Sequence, residues 1–132
     1  MFNQSRVAAM LPAQDLERAK AFYQDKLGLT PTQMPGGLLY QMASGTGFSV
    51  YLSGGKSAGS YTQLYIEVSD IDQAVRELKA KGVKFEEYDT PTLKTVDGMA
   101  DIAGSKAAWL KDSEGNLIGL GPPVRVPAKA RT

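Results

Sequence analysis

The sequence predicts an α+β fold: two βαβββ modules whose strands form a curved, barrel-like mixed sheet, with the helices on its outside. Two observations predict it. An apolar strand runs into Asp15-Leu16-Glu17-Arg18-Ala19 and an amphipathic helix, and 55 residues later another strand runs into Asp70-Ile71-Asp72-Gln73-Ala74 and a second helix. Each helix closes on glycine, Lys26-Leu27-Gly28 in the first copy and Ala80-Lys81-Gly82 in the second, and each is followed by hairpin-length strands. A module this small leaves one sheet face bare, so two must pack together, and a groove between them suits a small molecule.

The elements follow in order. Arg6 to Leu11 reads as a strand ending at Pro12, and Asp15 caps a helix whose Leu16, Ala19, Phe22, Tyr23 and Leu27 recur at helical spacing. Short strands follow near Thr30–Met34, Leu38–Ala43 and Phe48–Leu52, separated by the Pro35-Gly36-Gly37 and Ser44-Gly45-Thr46-Gly47 turns. The Gly- and Ser-rich stretch Ser53–Ser60 reads as a linker. The second module opens with the strand Thr62–Val68 and a helix burying Ile71, Ala74, Val75 and Leu78. Strands at Val83–Tyr88, Ala107–Lys111 and Leu117–Leu120 complete it, with a turn at Asp112-Ser113-Glu114-Gly115-Asn116. The expected organisation is one domain over residues 1–121, made of modules 5–53 and 61–121, then a flexible Pro-rich basic tail over 122–132. From helix-closing glycine to final-strand leucine the second copy is longer, 38 residues against 24. The surplus lies in the polar stretch Asp89–Ser105, read either as a lid at a cavity mouth or as a surface insertion.

Composition narrows the function classes. At 132 residues, 42% hydrophobic and 22% charged, the chain has the make-up of an ordinary globular domain. Its apolar stretches are strand-length and interrupted, so neither a membrane span nor an export signal is expected, and a cytoplasmic location is the default. Formal net charge is +1, but Arg125, Lys129 and Arg131 all lie in the tail, which leaves the body at −2. A mildly acidic body without a clustered basic face argues against nucleic acid as a partner. The chain has no cysteine, which excludes disulfides and thiolate metal sites.

Three segments carry a family resemblance. The Asp15-Leu16-Glu17-Arg18-Ala19-Lys20-Ala21-Phe22-Tyr23 run with Leu27-Gly28-Leu29, the Tyr65-Ile66-Glu67-Val68 strand entering Asp70-Ile71-Asp72, and Trp109-Leu110-Lys111-Asp112-Ser113-Glu114-Gly115-Asn116-Leu117-Ile118 resemble the vicinal oxygen chelate superfamily. That superfamily includes glyoxalase I, extradiol dioxygenases, metal-dependent fosfomycin-resistance transferases and metal-free bleomycin-binding proteins. The resemblance spans about residues 5–121 and implies the glyoxalase/bleomycin-resistance/dioxygenase fold. It does not choose an activity. It also implies where a metal would be held: the matching positions are Ala8, Tyr51, Gln63 and Gly119. A methyl group, a phenol, an amide and a hydrogen are not the imidazole or carboxylate donors such an ion needs, and the chain has no histidine. The expectation is therefore a divergent member with no metal and no cofactor. An all-oxygen site from Glu67, Asp97 or Asp101 competes with the reading that these acids face water.

With the metal positions vacated, strand alternation still describes a lining. Leu64, Ile66 and Val68 face the helix, which aims Gln63, Tyr65 and Glu67 the other way, and the same parity aims Ser49 and Tyr51 opposite Phe48, Val50 and Leu52. Ala8 and Met10 join from the first strand, and Leu117 and Gly119 from the last. The lining is aromatic, soft and nearly uncharged, suited to a planar or largely apolar organic molecule such as an antibiotic or a metabolite. For Met10, Tyr51 and Tyr65 the alternative is ordinary packing. Glu67 either anchors a cation, acts as a general base, or pairs with a lysine at the module junction. Trp109 stacks on a ligand or packs in a core or dimer contact. Without histidine no serine-histidine-acid set exists, and no glycine run joins a strand directly to a helix start as a phosphate loop does.

Three functions fit this lining. One is a metal-free small-molecule binder working as a homodimer. The second is a metal-independent enzyme of lyase or isomerase type that moves a proton through Glu67 or a tyrosine. The third is a structural dimer whose groove is filled by its own side chains. A metal-dependent glyoxalase or dioxygenase stands outside them.

Overall fold

The computed structural model describes residues 1–124, so most of the expected 122–132 tail lies outside the described residues. The strands are β1 (Ala9–Ala13), β2 (Thr32–Met34), β3 (Gly37–Gln41), β4 (Gly47–Leu52), β5 (Leu64–Glu67), β6 (Met99–Ile102), β7 (Ser105–Lys111) and β8 (Leu117–Gly121). The helices are α1 (Leu16–Leu27) and α2 (Ile71–Ala80), and a short 3-10 turn spans Ala43–Gly45. Each half is βαβββ. The strands form two four-stranded sheets, β1-β4-β3-β2 and β5-β8-β7-β6, and are not closed into a barrel, because β1 and β5 each end a sheet. β1 runs parallel to β4 and the other pairs of that sheet are antiparallel. The bonds Gln63 N to Leu117 O and Val68 N to Gly121 O advance together along β5 and β8, which makes that pair parallel too.

Two compact units emerge: Met1–Leu64 with Lys111–Leu117, and Tyr65–Leu110 with the chain from Ile118. In the first, the Asp15 carboxylate accepts from Arg18 N at 3.0 Å and starts α1, and Gly28 ends it in the left-handed region at φ 69°. The helix lays Ala19 and Tyr23 on Leu11, Ala13, Leu38, Tyr40, Phe48 and Val50, all buried. Tyr40 and Phe48 stack at 4.9 Å under the Tyr23 ring. Among the described residues the buried Tyr40 hydroxyl finds no hydrogen-bond partner, and burial pushes its phenol up to about 12.

In the second unit, Asp70 caps α2 by accepting from Gln73 N at 3.1 Å. Val75 and Leu78 are buried, as are Ala108, Leu110, Ile118 and Leu120 of the sheet.

The structure corrects several expected elements. β1 begins at Ala9 and carries on through Pro12, which an end strand tolerates because its proline needs no ladder donor. Val83–Tyr88 is not a strand. Phe85 makes one bridge to Leu110, Glu86 N donates to Trp109 O, and the rest of the same β7 edge belongs to β6, where Met99–Ile102 pairs with Ser105–Ala108. The second strand of the module is therefore drawn from the segment read as a lid or a surface insertion. That segment is tied further: Thr95 Oγ1 accepts from Tyr88 N, and Glu87 accepts from Gly98 N. The stretch read as a linker is ordered as well, with Ser57 Oγ donating to Gln63 and Gly59 lying against the Gly115 carbonyl and Lys111. Among the described residues no helix is long and apolar enough to cross a membrane.

Candidate ligand face

Within the first unit, residues that alternate away from α1 form an exposed sheet face. Register sets two rows across it. Met10 of β1 lies beside Ser49 of β4, then Leu39 and Thr32; Pro12 lies beside Tyr51, then Gly37 and Met34. The glycine opposite Tyr51 is the shaping detail. A Cβ at Gly37 would stand 2.9 Å from the Val50 carbonyl oxygen, so the position is tight for any side chain, and its bareness leaves one side of the Tyr51 ring uncovered. A depression of about 190 Å³ results, lined by Met10, Met34, Ser49, Tyr51, Leu39 and the Pro35–Gly37 turn. Its lining carries no formal charge. Met10 is 58% and Tyr51 36% exposed, so the face is apolar yet open to solvent.

Gln63, Asp112 and the hairpin tip behave differently. The Gln63 Oε1 accepts from Ser57 Oγ at 2.7 Å and from Leu117 N at 3.0 Å, while its Nε2 donates to Asn116 Oδ1 at 3.0 Å. The fully buried Asn116 donates from Nδ2 to Pro12 O and to Asp112 Oδ2, both at 2.9 Å. Asp112 also accepts from Tyr23 Oη at 2.6 Å and from the Glu114 and Asn116 amides. Burial and the neighbouring Asp112 carboxylate push the Tyr23 phenol well above its usual range. Glu114, 4% exposed, accepts from Gln14 N, Asp15 N, and Arg18 Nε and Nη2, the last two at 2.7 and 2.9 Å. The Arg18 hydrogen bond outweighs desolvation and holds the Glu114 carboxyl down at about 2. Every polar group in this knot has a partner, so its chemistry is structural.

In the second unit, Tyr65 and Glu67 share one face of β5, and both hold the chain leaving β8. Tyr65 Oη donates to Pro122 O at 2.6 Å, and Glu67 Oε2 accepts from Val124 N at 2.9 Å. Partial burial and the nearby Glu67 carboxylate raise the Tyr65 phenol. Gly119 and all of β8 are buried, with Leu117 3% exposed. Trp109 has the parity opposite to Leu110, is half-buried, and meets the Tyr88 ring edge-on at 5.8 Å. Ala8 is exposed and precedes β1.

The structure thus gathers Met10, Ser49 and Tyr51, and adds Met34, Leu39 and the Pro35–Gly37 turn, which the sequence reading did not select. Alternation within β2 and β3 was the available signal. Gln63, Leu117, Tyr65, Glu67, Trp109, Gly119 and Ala8 are not part of this depression. The four positions where the fold's enzymes hold a metal offer one phenol and one already engaged amide, which does not fit a divalent ion. Among the described residues no three His, Cys, Asp or Glu side chains are grouped to hold one either. Asp101 instead accepts from Gly104 N in the β6–β7 turn.

Comparison with known proteins places this architecture. The chain matches the Glyoxalase/Bleomycin resistance protein/Dioxygenase superfamily over residues 6–120. A bleomycin-binding protein solved in complex with bleomycin is similar in structure, with a TM-score of 0.68 at 20% identity over 91% of this chain and 99% of that one. A glyoxalase/bleomycin resistance protein from Catenulispora acidiphila gives 0.66 at 20% identity, covering 90% of this chain and 98% of its own. The fosfomycin resistance protein FosX from Listeria monocytogenes gives 0.59 at 16% identity, covering 91% of each chain. No curated protein matches. At these identities the solved structures establish the fold.

Proposed function

The chain belongs to the glyoxalase/bleomycin resistance/dioxygenase superfamily, and from that premise we propose that it is a metal-free binder of a planar, largely apolar and uncharged organic molecule. The observation carrying this reading is the uncharged depression of about 190 Å³ on the open face of β1, β4 and β3, with Met10, Met34 and Tyr51 around it. A buried cavity of about 150 Å³ holds a benzene ring, so this one accepts one planar ring system and leaves the remainder of a larger ligand in solvent. Tyr51 offers a ring face to stack on, the two methionines adapt to the ring edge, and Ser49 supplies a hydroxyl to orient one polar group. The homodimer and the cytoplasmic location belong to the same proposal.

Proton transfer through Glu67 has less support, because its carboxylate is taken up by the Val124 amide. The test is a thermal-shift screen of planar aromatic compounds, with and without divalent metals, on wild type and Tyr51→Ala. A specific ligand raises Tm as its concentration rises past its Kd, without needing a metal. No shift across the screen, or equal shifts in Tyr51→Ala, overturns the reading.

A further inference from the structure

The face of β5 opposite α2 already has an occupant. Tyr65 and Glu67 stand two residues apart on it and make bonds of opposite polarity to backbone groups two residues apart in the segment after β8: a donor to the Pro122 carbonyl, an acceptor for the Val124 amide. Side chains at i and i+2 on a strand match the i and i+2 backbone groups of an extended segment in spacing. Two further features fit this docking. A Cβ at Gly121 would collide with the Tyr65 hydroxyl, so the glycine is what lets the phenol reach over to Pro122. Pro122 and Pro123 bring no amide donors of their own, and their fixed φ lowers the entropy lost when the segment is held.

We propose that Tyr65 and Glu67 form a docking site for the chain's own Pro122–Val124 segment, a strap that engages the Tyr65 hydroxyl and the Glu67 carboxylate and releases both when it lifts. Both side chains stay exposed at the surface with the segment in place, and what the strap takes up is the hydrogen-bonding capacity of the Tyr65 hydroxyl and the Glu67 carboxylate, which a solute can use fully only when it is raised. The inference does not rest on the proposed ligand face, which lies on a different sheet, and its readouts need no ligand.

The experiment measures acetylation of individual tyrosines by N-acetylimidazole, mapped by mass spectrometry, alongside amide hydrogen exchange of the C-terminal peptide. Tyr51, exposed and outside the strap, is the internal reference. The two side chains are about equally exposed, so in wild type the hydrogen bond from the Tyr65 hydroxyl to Pro122 O is expected to make Tyr65 react several-fold more slowly than Tyr51. Glu67→Ala removes the acceptor and Val124→Pro removes the donor; each is expected to speed Tyr65 acetylation about tenfold, the loss of one charge-assisted bond, with Tyr51 unchanged. Glu67→Gln keeps an acceptor oxygen, so its exchange and acetylation stay within about threefold of wild type. Tyr65 reacting as fast as Tyr51 in wild type overturns the strap. So does a change in Glu67→Ala that Val124→Pro does not reproduce, since Glu67 would then act through some other contact.

Discussion

Tyr51 and Gln63 begin alike, each a polar side chain that strand alternation aims away from its module's helix, yet one is left open and the other is fully engaged. Around Tyr51 the neighbours across the sheet are Pro12 and Gly37, which have no side-chain donor or acceptor to offer, and the phenol stays at an uncharged surface. Around Gln63 the neighbours are Ser57, Asn116 and the Leu117 amide, and three hydrogen bonds fix it in place. The difference teaches that alternation gives a direction and the partners met in that direction give the role. An amide surrounded by complementary groups becomes structure; a ring surrounded by apolar or bare positions is available for binding.

If that contrast holds, substitutions on the engaged side move stability and substitutions on the open side move binding. The largest effect is expected from Glu114→Ala, which strips the amides of Gln14 and Asp15 and the Arg18 guanidinium of their common acceptor, at a cost of about 3 kcal/mol in denaturant unfolding. The same carboxylate gives a pH signature. Its folded value of about 2 lies below the usual 4.5, so its contribution is complete above the ordinary carboxylate range and disappears as pH falls from about 4.5 toward 2. Wild-type Tm should drop through that window more steeply than the Tm of Glu114→Gln; parallel profiles would break the assignment. Next is Gln63→Ala, which leaves the Leu117 amide and Asn116 short of partners and should cost about 1–2 kcal/mol. A neutral result would put Gln63 on the open side of the comparison.

Tyr51→Ala sharpens it from the other direction. Stability should change by less than about 0.5 kcal/mol, as for an exposed site, while affinity for a stacking ligand falls about tenfold, read by titration of a hit from the thermal-shift screen. A large loss of stability would show that the ring packs rather than binds. The smallest effect belongs to Lys106→Ala, which removes a 3.0 Å pair with Asp72 whose two side chains are both about half exposed. Such pairs contribute about 0–1 kcal/mol, so a Tm change beyond a few degrees would contradict the view that only the buried knot holds charge for stability.

Much of the fold was legible because its signals are local. Asp15 and Asp70 cap their helices as expected, since a carboxylate three residues ahead of an amide needs no distant help. Seven of the expected strands appear within a few residues of their places. The eighth does not, because extended character in Val83–Tyr88 could not reveal that β7 would give most of its edge to Met99–Ile102. The candidate face was half legible: parity selected Met10, Ser49 and Tyr51, while Met34 and the Pro35–Gly37 turn needed the β2–β3–β4 register to bring them alongside.

By itself, the sequence determined the duplicated strand-helix pattern, both caps, the helix-ending glycine at residue 28, the side of each strand on which a residue stands, and the lack of metal donors at the family's four positions. Those properties depend on contacts within about four residues or on residue type alone. Only the tertiary structure decided which of the aimed side chains remain available. Gln63 meets Asn116, Tyr65 meets Pro122 and Glu67 meets Val124 across more than fifty residues of chain, and such a partner exists only once strands parallel in space have brought it there. Among the described residues Tyr51 meets no such partner, and that is why the proposed binding face is read on β1, β4 and β3.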